Sequence, residues 1–158
     1  MLKKILSPET CAQCRLCCQF DATDIWELPV LPPETLAAVQ KLRPDTAFIS
    51  SGDEHTFASP ALSGEELFAC PVLTECGCGL SSADKPFDCK IWPFRLMRHT
   101  DGSCVIAVSE LCKGVAHLSD DALRQFLTEE GLADLCFAYA RSHPAHIKPL
   151  MDGYRILL

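Results

Sequence analysis

The segment Cys11-Ala12-Gln13-Cys14-Arg15-Leu16-Cys17-Cys18 constrains this chain more than any other stretch. It puts four cysteines into eight positions, and no further cysteine follows until Cys70. Each Cys-x-x-Cys step lets two thiolates converge on one metal across a tight backbone turn. If the segment is helical instead, Cys11, Cys14, Cys17 and Cys18 share an arc of about 120° on one side. Either backbone aims a dense thiol patch in one direction. Free cysteine is also a common small core residue, but such crowding fits ligation better than burial.

The chain carries 11 cysteines in 158 residues. An odd count with an adjacent pair fits a disulfide framework poorly. The start, Met1 to Thr10, has Lys3-Lys4 but no apolar stretch of the length a secretory signal needs. No run of about 18 apolar residues offers a membrane span. The expectation is a cytoplasmic protein with no membrane partner, whose thiols stay reduced. The formal net charge is −7, and no basic cluster exceeds Lys3-Lys4, which argues against a nucleic-acid partner.

Length and patterning predict a small α+β fold, a single domain over 1–158, with helices bracketing a hairpin. Thr35 to Leu42 reads as a short helix, with Leu36, Val39 and Leu42 on one face and Pro44 as its stop. Residues 50–66, rich in Ser, Gly, Pro and acids, read as loop, with Asp53, Glu54 and His55 as solvated surface. Leu67 to Leu73 offers one short strand. Residues 74–90 read as irregular backbone of the kind that wraps a metal. Phe94 to His99 and Cys104 to Val108 flank Thr100-Asp101-Gly102-Ser103, and Asp-Gly between apolar runs predicts a hairpin whose two turn residues adopt positive φ. The segment 119–142 reads as helical. Ser119 is its N-cap, Asp120 and Asp121 suit the first turn, and Leu123, Phe126 and Leu127 make its apolar face. Gly131 breaks it, Leu132 to Arg141 forms a second helix, and Tyr154 to Leu158 adds a final strand.

A second set of cysteines follows: Cys70-Pro71-Val72-Leu73, Cys78-Gly79-Leu80, Lys85-Pro86-Phe87-Asp88-Cys89-Lys90-Ile91-Trp92-Pro93, and Cys112-Lys113-Gly114. Cys11, Cys14 and Cys17 with the remote Cys70-Pro71 echo the iron–sulfur run of bacterial ferredoxins. The full order resembles the YkgJ-type cysteine-cluster family, also described as the CxxCxxCC zinc- or iron-chelating domain. That pattern has the CxxCxxCC run, a Cys before apolar residues and a Cys before an aromatic. An Arg-Pro-x-x-Cys-Arg-x-x-Pro stretch and a late Cys-x-Gly complete it. Here Lys85 and Lys90 stand for the two arginines, and no aromatic follows Cys78. The resemblance covers about residues 11–114. It implies eight metal ligands: Cys11, Cys14, Cys17, Cys18, Cys70, Cys78, Cys89 and Cys112. Cys76 competes with Cys78 for one of these places. A similar cysteine region occurs within flagellin lysine methylases, so the resemblance lends a site and not a substrate.

Four-thiolate sites suit structural zinc and iron–sulfur centres alike, and the expectation favours an iron–sulfur cluster over zinc. Full thiolate ligation leaves no water on the metal and argues against a zinc hydrolase. The expected function is a metal-binding protein that supports redox or maturation chemistry, with an unidentified protein partner. The alternatives are an iron–sulfur-dependent modifying enzyme and a structural zinc interaction module. Cys104, alternating with Ile106 and Val108, and Cys136, within an apolar helix, read as core residues. His55, His99, His117, His143 and His146 are scattered and read as surface or structural. Trp92 and Phe94 read as packing over the metal site beside Cys89. No phosphate loop, nucleophile elbow or HExxH motif occurs.

Overall fold

Proline and glycine placement and short-range periodicity settle most elements of the computed structural model, which describes residues 2–21, 25–59 and 67–158. The chain is α+β and divides into two compact units, residues 1–10 with 93–158, and residues 11–92. Among the described residues, no helix is long and apolar enough to cross a membrane.

In the unit of residues 11–92, the elements are short. The first helix, α1, spans Pro8–Cys14 and runs into this unit. A 3-10 turn at Leu16–Cys18 leads into β1 (Gln19–Asp21). Helix α2 spans Pro33–Leu42 and starts on prolines, whose fixed φ suits a first helical turn. It buries Thr35 and Val39. The expected stripe of Leu36, Val39 and Leu42 is therefore rotated, and Leu42 stays 46% exposed. Thr35 tolerates burial because its hydroxyl donates to the Asp84 carbonyl at 2.6 Å.

The expected loop beginning at residue 50 is instead a hairpin in its described part. Strands β2 (Phe48–Ser51) and β3 (Glu54–Phe57) pair antiparallel around Gly52-Asp53. Gly52 has φ +61°, as tight hairpin turns demand at a glycine. Ser and acidic content disguised the strands, because only Phe57 of β3 is buried. His55 and Glu54 thus lie on a strand; the later part of that expected loop, residues 60–66, lies outside the described residues.

Leu67 to Leu73 is two strands and not one. Strand β4 (Leu67–Ala69) pairs with β1, setting Phe20 opposite Phe68. Strand β5 (Leu73–Thr74) pairs with β6 (Gly77–Cys78). Helix α3 (Phe87–Ile91) begins after Pro86. The stretch 74–90 is thus less irregular than its composition suggests. The core of this unit is Phe20, Leu28, Leu31, Val39, Phe57, Phe68, Val72 and Leu80, with Cys70 packed against it. Phe20 lies 5.5 Å from Phe68 and 6.3 Å from Phe57, centroid to centroid.

The other unit is built on longer, more apolar elements. Strands β7 (Phe94–Arg98) and β8 (Cys104–Ser109) form the expected hairpin. Its turn departs from the Asp-Gly expectation, for only Gly102 has positive φ, at +87°. Asp101 holds the turn through its carboxylate, which accepts from the Ser103 backbone N–H at 2.8 Å and hydroxyl at 2.6 Å. These bonds keep the Asp101 carboxyl down at about 2.

Strand β9 (Lys148–Pro149) pairs parallel to β7, and β10 (Tyr154–Ile156) pairs antiparallel to β8, giving the order β10-β8-β7-β9. Helix α4 (Asp120–Glu129) is capped by the Ser119 hydroxyl, which accepts from the Ala122 N–H at 3.2 Å. It buries Leu123, Phe126 and Leu127, as its periodicity predicts. Gly131 then takes φ +67° and starts α5 (Leu132–Ser142), which packs against α4 and β8.

Candidate metal centre

The Cys11 to Cys18 segment is neither one tight turn nor one helix. Helix α1 ends at Cys14, Arg15 takes φ 54°, and a 3-10 turn carries Leu16–Cys18. The left-handed residue breaks the helical phase, so the four cysteines do not share one helix face. Cys11 and Cys14 lie exposed on α1, while Cys17 and Cys18 are half-buried one turn later.

The second half of the run is tied to Cys70 by backbone pairing. The β1–β4 ladder sets Gln19 opposite Ala69, and the next step is the Cys70 N–H donating to the Cys18 carbonyl at 2.8 Å. Pro71 follows Cys70 and begins a reverse turn, closed by the Leu73 N–H on the Cys70 carbonyl at 2.9 Å. That turn also points the Val72 and Leu73 N–H groups at the Cys70 sulfur. Amides donating to sulfur favour the thiolate. Strand β5 then pairs with β6 and sets Leu73 opposite Cys78.

Cys17, Cys70, Cys78 and Cys89 consequently sit close enough for their charges to act on one another. A thiolate at Cys78 or Cys17 raises the pKa of Cys70, and thiolates at Cys70, Cys78 and Cys17 raise that of Cys89. Burial is the larger cause at both, pushing Cys70 up to about 11 and Cys89 higher still. Cys89 is an exposed residue, although protein atoms surround its thiol.

Cys17 is raised mainly by its hydrogen bond with Cys18, whose sulfur lies 4.0 Å away, and then by burial. The Lys85 ammonium acts the other way and favours the Cys17 thiolate. The sequence pattern presents Lys85 only as a stand-in for arginine; its charge acting on Cys17 is not legible there, because the neighbourhood forms across distant segments. The Asp84 carbonyl, held by Thr35, anchors the segment that carries Lys85 and the buried Pro86 into α3.

Cys76 and Cys78 are both exposed; Cys78 acts electrostatically on Cys70 and Cys89, and Cys76 lies in the β5–β6 turn with its N–H on the Thr74 hydroxyl at 3.2 Å. Cys112 belongs to the unit of residues 1–10 and 93–158, where it is buried in the turns after β8. Gly114 makes room there: a Cβ on it would stand 2.6 Å from Leu6 and 3.7 Å from the Cys112 sulfur.

Cys136 is fully buried in α5, and burial pushes its thiol up to about 12. Cys104 is half-buried on β8. Phe94 stacks on Phe126 of α4 at 6.2 Å, inside the sheet–helix core. His143 and His146 join Tyr139 in a ring cluster, with the Tyr139 hydroxyl and His146 Nδ1 at 2.6 Å.

Among the described residues, no group of three or more His, Cys, Asp or Glu side chains is placed to hold a metal ion. The Cys17, Cys70, Cys78 and Cys89 thiols offer sulfur throughout, the donor a soft metal takes, although Cys17, Cys70 and Cys89 are all shifted toward the protonated thiol. Compared with protein-family models, curated proteins and solved structures, the chain finds no match.

Proposed function

We propose that this chain is a metal-binding protein whose principal site is the group Cys17, Cys70, Cys78 and Cys89, with Cys18 adjacent. The observation that supports this reading is that Cys17, Cys70, Cys78 and Cys89, from four separate segments of one small unit, lie near enough for their charges to act on one another. An iron–sulfur cluster is the favoured occupant and zinc the other, since four thiolates serve both.

A cluster held there would supply reversible electron transfer. The chain's own residues do the rest. The Val72 and Leu73 amides act toward the thiolate at Cys70 and Lys85 toward the thiolate at Cys17, against the larger upward push on both, and Cys70 packs against the phenylalanine core. The cysteine order supports a place in the YkgJ-type family, and the role that follows is redox or maturation support for a partner protein in the cytoplasm.

Anaerobic purification with iron, acid-labile sulfide and zinc analysis tests this. The expected result is a brown protein with broad visible absorbance and iron matched by sulfide. Colourless protein with stoichiometric zinc would replace the cluster by zinc. Folded, metal-free protein with oxidised cysteines would overturn the reading.

A further inference from the structure

Cys17 and Cys18 adjoin in the chain, and their sulfurs stand 4.0 Å apart. In an extended strand, successive side chains point to opposite faces and keep such sulfurs apart. Here the pair lies in the 3-10 turn Leu16–Cys18, immediately before β1 begins, and the two thiols meet. The backbone on either side is held. The Cys18 N–H donates to the Arg15 carbonyl at 2.9 Å, and the Cys18 carbonyl accepts from the Cys70 N–H at 2.8 Å. The Arg15 guanidinium donates in turn to the Ala12 carbonyl at 2.8 Å and the Glu75 carbonyl at 2.9 Å. The fold therefore keeps the sulfurs as neighbours. Both thiols are free and half-buried, open to a small reagent.

Side-chain rotation closes the gap from 4.0 Å to a bonded distance of about 2.0 Å. Adjacent Cα atoms are about 3.8 Å apart across a trans peptide, closer than the roughly 4.4 Å at which ordinary disulfides begin. A bond between neighbours is strained for that reason and readily reduced, as regulatory disulfides are.

We infer that Cys17 and Cys18 form a reversible thiol–disulfide couple, a redox switch set into the first cysteine run. The oxidant is a low-molecular-weight disulfide of the glutathione class. One sulfur of the pair attacks it as the thiolate; the small S–S bond breaks, one thiol leaves and a mixed disulfide forms. The other sulfur then displaces the second thiol. Two electrons pass to the small disulfide, the two protons of the pair leave with the two thiols, and one S–S bond replaces another. Excess thiol runs both steps backward. The consequence for metal rests on the reading that Cys17 is a ligand: oxidation withdraws its sulfur from the four-thiol group, and bound metal shields the pair.

The test is a titration of the full chain, isolated anaerobically with its metal, with oxidised glutathione. Free thiols are then alkylated, and the chain is cut with trypsin without reduction and weighed by mass spectrometry. Cleavage after Arg15 and Lys41 gives a peptide whose only cysteines are Cys17 and Cys18. It should appear unalkylated and lighter by two hydrogens, rise in step with metal release, and return to the doubly alkylated form after dithiothreitol. In urea, where the turn is lost, its yield should fall several-fold. A peptide that stays doubly alkylated, carries glutathione on both cysteines or is linked to another peptide overturns the couple while the metal reading stands. Equal yield in urea also overturns it, because the fold then does nothing to prepare the pair. A chain that takes up neither zinc nor iron yet forms this disulfide keeps the couple and sinks the metal reading. Metal held undiminished by the disulfide form strikes Cys17 from the ligand group.

Discussion

The two units of this chain solve the same problem by different means. Residues 93–158, with the N-terminal ten, use a four-stranded sheet and two helices, and β7 is buried on both faces from Phe94 to Met97. Residues 11–92 use three two-stranded sheets, none longer than four residues per strand, and short helices. An isolated two-stranded hairpin is marginal in water. Its eight-residue phenylalanine-centred core is modest, and the thiol group lies where the short pieces meet. The contrast teaches that one unit is organised by longer apolar elements and the other by short paired pieces. On the proposed reading, metal binding to thiolates adds a staple to the latter, because its free energy becomes folding free energy.

The largest effect that would break this comparison is metal removal. Chelation under reducing conditions should speed amide hydrogen exchange throughout residues 11–92 and leave β7, β8, α4 and α5 protected. Cys70→Ser should act likewise and cost several kcal/mol. Equal loss of protection in both units would show that the staple serves the whole chain or neither part.

The converse experiment is Phe94→Ala. It removes the stack on Phe126 from a buried position and should cost about 3–5 kcal/mol in chemical denaturation. Bound metal per folded chain should not change. A parallel fall in metal content would place Phe94 at the metal centre after all.

The comparison was only partly legible in the sequence, and the reason is physical. Helices α4 and α5 and the β7–β8 hairpin announce themselves through local signals: a serine cap, a glycine break, apolar residues at helical and strand spacing. The β2–β3 hairpin carries no such signal, because most of its side chains face solvent and its alternation is polar on polar. The candidate ligands were legible as an order but not as a grouping. Cys18 meets Cys70 at the end of a β1–β4 ladder of three residue pairs, and no periodicity encodes so short a long-range contact. Arg15 is the one described non-glycine residue at positive φ, so nothing in its type warned that the CxxCxxCC run would divide there.

A third prediction concerns alkali. Burial, with a smaller push from Cys104, raises the Cys136 thiol from an ordinary 9.0 to about 12. The folded state therefore holds this proton longer than the unfolded chain. Its contribution is complete below about pH 9 and is lost as pH rises through about 12, at up to about 1.4 kcal/mol per pH unit. Denaturation of Cys136→Ala between pH 9 and 11 should show a shallower decline than wild type. An unchanged slope would mean that Cys136 is not the titrating group.

The smallest effect expected is Ser119→Ala. It leaves the Ala122 N–H without its capping hydroxyl and should cost about 1 kcal/mol in the sheet-and-helix unit. Metal affinity should be unaffected, which would sharpen the separation between the two modes of stabilisation.

The central claim is that sulfur from Cys17, Cys70, Cys78 and Cys89 closes a site in the unit of residues 11–92. X-ray absorption on the metal-loaded chain addresses it directly. The account predicts a shell of about four sulfur atoms at about 2.3 Å from the metal, lost in Cys89→Ser. A shell dominated by nitrogen or oxygen, or an unchanged sulfur shell without Cys89, would contradict it.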